Sequence, residues 1–173
     1  MTQQKSPVGP IVSASQLADG AMPQLSELEY ALTIAHNAFA RWVVHGMGAA
    51  GYPGMSTLEV QVLHSTNHRD REKTLGELCL MLNIEDTHLI SYAIRKLVTL
   101  KLVAAGKRGK EKTVAITEEG MKACKRYKEV REALLTTSVL SLGLKKDDVS
   151  GLANLLRTLS GQYDQAGRGA ISL

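Results

Sequence analysis

The chain has 173 residues, a net charge of +4, and ordinary hydrophobic (44%) and charged (22%) content. With five Tyr, one Trp and one Phe its core must be aliphatic. No run of about 18 apolar residues marks a membrane span, and residues 1–16 lack the basic and apolar regions of a secretory signal. The two cysteines, Cys79 and Cys124, form no C-x-x-C pair, which speaks against a disulfide framework or zinc ribbon and for a reducing cytoplasm.

Residues 1–23, rich in Ser, Gln, Pro, Gly and Ala, read as a flexible N-terminal arm. Ser26 and Glu29 fit a capping box, and Leu25, Leu28, Leu32, Ala35, Phe39 and Trp42 make one apolar helix stripe. That helix is expected to stop near Gly46, where a glycine-rich loop runs to Gly54. No Gly-Lys-Ser/Thr follows the loop and no strand precedes it, so it does not read as a phosphate cradle. Ser56 and Glu59 give a second box and a short helix to about Asn67. Thr74 and Glu77 give a third, opening a helix of about nine residues with Leu75, Leu78, Cys79 and Leu82 on its inner face. After a turn at residues 83–86, the next helix buries Ile90, Ile94 and Leu97 and ends near Lys101.

Residues 102–105 read as a strand, 106–111 as a glycine-containing hairpin loop, and 112–116 as the returning strand. Thr117 then caps a long helix carrying Met121, Cys124, Tyr127, Val130 and Leu134, expected to end near Gly143. Asp147 caps a last helix with Val149, Leu152, Leu156, Leu159 and Tyr163 at spacings of 3 and 4, and a loose tail follows from Gln165. The expected fold is mainly α: a winged helix-turn-helix with a two-stranded β-wing and flanking dimerisation helices. Its parts are the arm (1–23), the first helix with its Gly-rich loop (24–54), the winged helix-turn-helix (55–120) and the C-terminal helices (121–173).

Charge is concentrated in the middle: −2 over residues 1–68, +6 over 69–131 and 0 over 132–173. A basic middle fits a polyanion-binding surface or a solvated charged face. In the second helix of the helix-turn-helix, the buried set leaves Thr87, His88, Ser91, Tyr92 and Arg95 outward. Arg95 has the geometry to read guanine, and Thr87, His88 and Ser91 to reach base edges or phosphates. Tyr92 suits a thymine methyl or a phosphate, and Lys96 a phosphate or a surface charge. Lys107, Arg108, Lys110 and Lys112 cluster in the wing, with Arg108 near the tip, where arginine suits a narrow minor groove.

The stretch from Thr74 through Glu77 to Leu82, the helix through Ile94 to Leu97, the exit Leu102-Val103, and Thr117-Glu118-Glu119-Gly120 resemble the MarR family of bacterial transcription regulators. The resemblance covers about residues 56–135. Three departures are visible: a turn at residues 83–88 one residue longer than usual, a wing lacking the common Asp-x-Arg-Asp pattern, and Lys101 where glycine is common. The resemblance implies a homodimer packed through its outer helices and a winged helix on double-stranded DNA, to which Thr74 is added as a DNA-side residue. It also implies a small-molecule effector of unknown identity, for which Tyr30, Arg41, Trp42 and His45 on the first helix are candidates; a core role is the default for Trp42.

His64 and His68, at i and i+4, have metal-ligand spacing, yet no further ligand completes a set, so no metal site is assigned. His36 and His45 lie on opposed azimuths of the first helix. Both cysteines read as buried small residues rather than sensors. No G-x-S-x-G or H-E-x-x-H motif is present, so neither an enzyme nor a cofactor is read. The reading is a cytoplasmic, homodimeric DNA-binding transcription regulator acting on a pseudo-palindromic operator, with repression the favoured mode; the alternative is a winged-helix adaptor that binds protein.

Overall fold

The structure, a computed structural model, describes residues 9–173; the first eight residues of the expected arm lie outside it. A short 3-10 turn, Ser15–Leu17, precedes the first helix. Two compact units follow one another, dividing after Lys128.

In the first unit, α1 (Pro23–Ala49) starts three residues before the expected cap. Pro23 occupies the first helical position, where its missing N–H costs nothing, so Ser26 lies inside the helix and forms no capping box. At the other end α1 continues past Gly46 to Ala49. Gly46 is packed rather than flexible: a Cβ there would stand 3.0 Å from the Tyr127 ring and 3.5 Å from that of Trp42. The glycine-rich loop is therefore shorter, residues 50–56, and Tyr52 within it donates its hydroxyl to the Glu119 carboxylate. Only the last turns of α1 are buried, through Val43, Gly46 and Met47; Leu32, Ile34 and Phe39 are exposed.

The two capping boxes flanking the helix-turn-helix form as expected. Ser56 Oγ accepts from the Glu59 amide and the Ser56 amide donates to the Glu59 carboxylate at 2.7 Å, opening α2 (Thr57–Asn67). Thr74 and Glu77 do the same for α3 (Leu75–Leu82). Between them, the segment expected to be a charged turn holds a 3-10 turn, His68–Asp70, and a two-residue strand, β1 (Lys73–Thr74). Lys73 is fully buried. Its ammonium donates to the carbonyls of Thr66 (3.3 Å), His68 (2.5 Å) and Arg71 (2.7 Å), so the cation replaces lost water with carbonyl oxygens.

Asn83, left-handed at φ 51°, closes α3, and the Asn83 and Ile84 amides bond back to Leu80 and Cys79. Asp86 caps α4 (Thr87–Thr99) by accepting from the His88 amide, so Thr87 and His88 belong to the helix and the turn is residues 83–86. The buried stripe of α4 is Ile90, Ala93 and Leu97; Ile94 is only half-buried. The α4 terminus is a Schellman motif: Leu102 N bonds Leu97 O, Lys101 N bonds Val98 O, and Lys101 sits at φ 59°. This conformation is what glycine adopts freely, so Lys101 holds a backbone geometry that favours glycine.

β2 (Val103–Arg108) and β3 (Glu111–Ile116) pair antiparallel, and β1 joins the outer side of β3, so the sheet has three strands in the order β1-β3-β2 rather than two. The strands run to a two-residue turn at Gly109-Lys110, shorter than the expected loop; only Gly109 is at positive φ (64°), as in a hairpin turn with glycine first. Thr117 ties this sheet to α5 (Glu118–Arg131). Its hydroxyl accepts from the Gly120 amide (3.0 Å) and donates to the carbonyls of Lys101 (2.7 Å) and Leu102 (2.9 Å). The core is aliphatic as composition requires, with Met47, Leu63, Leu78, Ile90, Leu97, Leu102 and Val114 fully buried. On α5 the buried positions are Gly120, Ala123, Cys124 and Tyr127, while Met121 is exposed.

The second unit begins within α5. The expected single helix to Gly143 is interrupted by a π-helical turn, Glu132–Thr136, before α6 (Thr137–Ser141). There the Thr137 hydroxyl donates to Glu132 O and the Arg131 guanidinium reaches Glu132 and Thr136. The last helix, α7 (Lys146–Ala170), is capped at Lys145 rather than Asp147. Asp147 and Asp148 fall in its first turn, where negative charge suits the helix dipole. Residues 165–170, expected to be loose, continue α7. No residue of this unit is buried, and Val149, Leu152 and Leu155 are about half exposed. No helix among the described residues is long and apolar enough to cross a membrane.

Candidate nucleic-acid interface

The capping of α4 by Asp86 fixes which side chains leave its surface. Thr87, His88, Tyr92 and Arg95 are exposed and Ser91 is half-buried. The Arg95 guanidinium lies 5.6 Å from the centroid of the Tyr92 ring, a cation–π arrangement that holds the guanidinium over the helix face. A planar donor set held in this way has less rotamer freedom to lose on meeting a base edge or phosphate.

Thr74 is placed differently. Its hydroxyl is used by the capping box, and its amide donates to Glu77, which also takes the Arg71 guanidinium at 2.7 Å. These two hydrogen bonds, the Thr74 amide first, hold the Glu77 carboxyl below its ordinary range. Lys96 is also engaged within the protein: its ammonium pairs with the nearly buried Glu59 at 3.0 Å and donates to Gly54 O at 2.7 Å. Glu59 is therefore both cap and counter-ion, a double role that a capping-box pattern alone does not reveal.

The wing separates its cations by face. Lys107 stands directly opposite Lys112, and Arg108 opposite Glu111. Because side chains alternate along a strand, Lys107 and Lys112 share the face of Ala105 and Val114, whereas Arg108 projects from the other face and pairs with Glu111 at 3.7 Å. Lys110 is exposed in the turn. Lys107, Lys112, Arg95 and Ser91 all border one open groove of about 780 Å³ between α4 and the wing. Ile94 and Val98 line it too. Sequence periodicity, which assigned Ile94 to the core, did not anticipate this groove.

The candidate effector residues are all on α1. Tyr30 and His45 are fifteen residues apart, roughly 22 Å along a helix, so α1 alone does not gather them around one small molecule. Trp42 is half-buried beside Gly46, and Arg41 and His45 are exposed. The His64 ring packs against Tyr127 (centroids 4.8 Å apart) with its Nε2 buried, whereas His68 is exposed, so the pair does not converge on a common ligand. Burial pushes the Cys124 thiol up to about 11, which keeps it protonated at neutral pH. Cys79 is half-buried, and both cysteines are free.

Residues 55–120 match the family described as the winged helix DNA-binding domain. The fold is similar to that of a MarR-family transcriptional regulator from Rhodococcus sp. RHA1 (TM-score 0.63, 14% identity, covering 77% of this chain and 91% of that one). The chain has a winged-helix fold similar to that of MarR-family structures. The same MarR-like fold is seen in a mutant MarR from E. coli complexed with operator DNA (TM-score 0.65, 17% identity, 82% and 99% covered). It is seen again in CouR from Rhodococcus jostii RHA1 bound to p-coumaroyl-CoA (TM-score 0.65, 16% identity, 84% and 95% covered). No curated protein sequence matches the chain.

Proposed function

We propose that this MarR-like protein is a DNA-binding transcription regulator that works in the cytoplasm as a homodimer, most simply as a repressor of a pseudo-palindromic operator. The observation that carries the reading is the joint placement of Arg95 on the open face of α4 and Lys107 and Lys112 on the wing face turned toward it. A helix of this kind fits the major groove, about 12 Å wide, and the wing then meets the adjoining backbone. Thr87, His88, Ser91 and Tyr92 complete the helix contacts, and Lys110 extends the wing's reach. Lys96 and Thr74, both engaged within the protein, serve to hold the frame.

Dimerisation is supported by what the single chain leaves uncovered. The stripe on α1 includes Leu32 (38% exposed) and Phe39 (50%), and α7 shows Leu152 (52%) and Leu155 (48%). Apolar faces of this extent favour a second copy over water. Two protomers present two winged helices and hence two half-sites about one helical turn apart. Release by a small molecule is part of the same proposal.

The test is selection of bound fragments from a genomic DNA library, followed by binding of the recovered operator by wild type and Arg95→Ala. Arg95→Ala is expected to lose about 1–3 kcal/mol on the operator and little on random DNA. An equal loss on both assigns Arg95 to the backbone. No enrichment of any fragment at low salt overturns the regulator reading and leaves the protein-binding adaptor.

A further inference from the structure

Tyr92 and Arg95 stand about one turn apart on the open face of α4, and neither is buried in the fold. Arg71, Lys96, Arg108, Lys122 and Arg131 each pair with a carboxylate. Among the described residues no carboxylate pairs with Arg95; its guanidinium lies over the Tyr92 ring instead, 5.6 Å from the centroid. The pair therefore presents a planar set of N–H donors and an apolar ring side by side. Those two chemistries match one dinucleotide edge of the major groove. A guanidinium takes O6 and N7 of guanine in the plane of that base, and the neighbouring base lies about 3.4 Å along the strand. The apolar feature that a base shows there is the C5-methyl of thymine. Cytosine shows none unless it is methylated at C5. A pyrimidine followed by guanine is also a step that unstacks readily, which opens the methyl to a side chain lying beside the guanine.

We propose that Tyr92 and Arg95 read, as one unit, a 5-methylpyrimidine followed by guanine in each half-site. Arg95 donates to the guanine, and the Tyr92 ring covers the methyl of the neighbouring pyrimidine. The pair accepts TpG and 5-methyl-CpG and rejects unmethylated CpG, because thymine and 5-methylcytosine carry the same methyl at the same place. The proposal rests on the regulator reading and adds to it a dependence on DNA modification: methylation of a CpG step strengthens the site. Tyr92 is then a specificity-determining residue, not a contact to the backbone. Covering one methyl changes affinity by about fourfold, and by roughly fifteenfold over the two half-sites of a dimer.

The operator recovered from the genomic library is expected to carry a TpG step at the same place in each half-site. Synthetic duplexes are then made that differ only there, with TpG, deoxyuridine followed by guanine, CpG or 5-methyl-CpG. Binding of the full chain is read by anisotropy at one salt concentration, because the phosphate contacts are common to every duplex. TpG is expected to bind roughly fifteenfold more tightly than its deoxyuridine form, and 5-methyl-CpG than CpG by the same factor. Tyr92→Phe is expected to keep both ratios, since the ring and not the hydroxyl meets the methyl. Tyr92→Ala, at an exposed position, is expected to remove them with an unchanged circular dichroism spectrum. The base replacements need no variant and decide the methyl dependence by themselves if Tyr92→Ala misfolds. Equal binding of the thymine and deoxyuridine duplexes overturns the proposal, as does a methyl effect that survives in folded Tyr92→Ala. Selected sites without a TpG step overturn it too. If no fragment is enriched at low salt, reader and regulator fall together; if DNA is bound without regard to the methyl, the reader alone falls.

Discussion

Replacing Gly120 by alanine sets two effects of opposite sign against each other. On helix propensity alone Gly→Ala stabilises a helix by up to about 1 kcal/mol. At Gly120, however, a Cβ would lie 2.0 Å from the carbonyl oxygen of Leu102 and 2.6 Å from Ile116 Cδ1. An ordinary C···O approach is about 3.3 Å or more, so the first turn of α5 must withdraw by more than about an ångström. That withdrawal breaks the Thr117 latch, in which the hydroxyl reaches Lys101 O and Leu102 O and the amide bonds Leu102 O at 3.1 Å. Loss of two such bonds costs about 1–3 kcal/mol, and overpacking a well-filled site costs about 1–3 kcal/mol. Less the propensity gain, the expected net destabilisation is about 1–5 kcal/mol. Urea unfolding followed by far-ultraviolet dichroism, at one fixed protein concentration, gives the difference. Gly151→Ala in α7, where a Cβ meets nothing within 4 Å, is the matched control and should be neutral or stabilising. Equal or greater stability of the Gly120 variant would refute the reasoning, since propensity would then have outweighed the backbone contact.

Lys112→Ala should flatten the slope of log K against log salt on the operator by roughly 1.8, one phosphate contact per wing in a dimer. Arg108→Ala should change it less, because Arg108 faces away and pairs with Glu111; a salt titration of both variants reverses the assignment if Arg108 has the larger effect. Leu156→Asp, a charge placed in the half-buried stripe of α7, should convert a dimer to monomers in sedimentation, and a wild type already monomeric at micromolar concentration sinks the dimer. His64, its pKa lowered from 6.5 by burial, binds its proton more readily unfolded than folded. Stability is therefore lost as pH falls below about 6.5, and His64→Leu should reduce that loss in urea titrations between pH 7 and 5. An identical pH slope in the variant would mean that other groups carry it.

The capping boxes show what local sequence expresses well. Ser56 and Glu59, and Thr74 and Glu77, each satisfy their own helix start within four residues, so pattern and structure coincide. Ser26 and Glu29 carry the same letters, but Pro23 starts the helix earlier. The features that escaped are those set by distant partners. Lys73 looks like one charge in a basic run, yet carbonyls of Thr66, His68 and Arg71 make its burial possible. Ile94 and Ala93 are adjacent on α4, and the direction each faces, not hydrophobicity, decides that Ala93 enters the core. The groove beside Ile94 likewise depends on how far the wing stands from the helix, which no periodicity encodes.

The buried ammonium of Lys73 gives the protein an internal clock of its own opening. A reagent that modifies amines meets the exposed wing lysines at once, at a rate set by simple collision. It meets Lys73 only when the segment that follows α2 lets go of it. The slow component of labelling at this single amine then reports how often the base of the wing comes apart, in the intact protein and without any mutation.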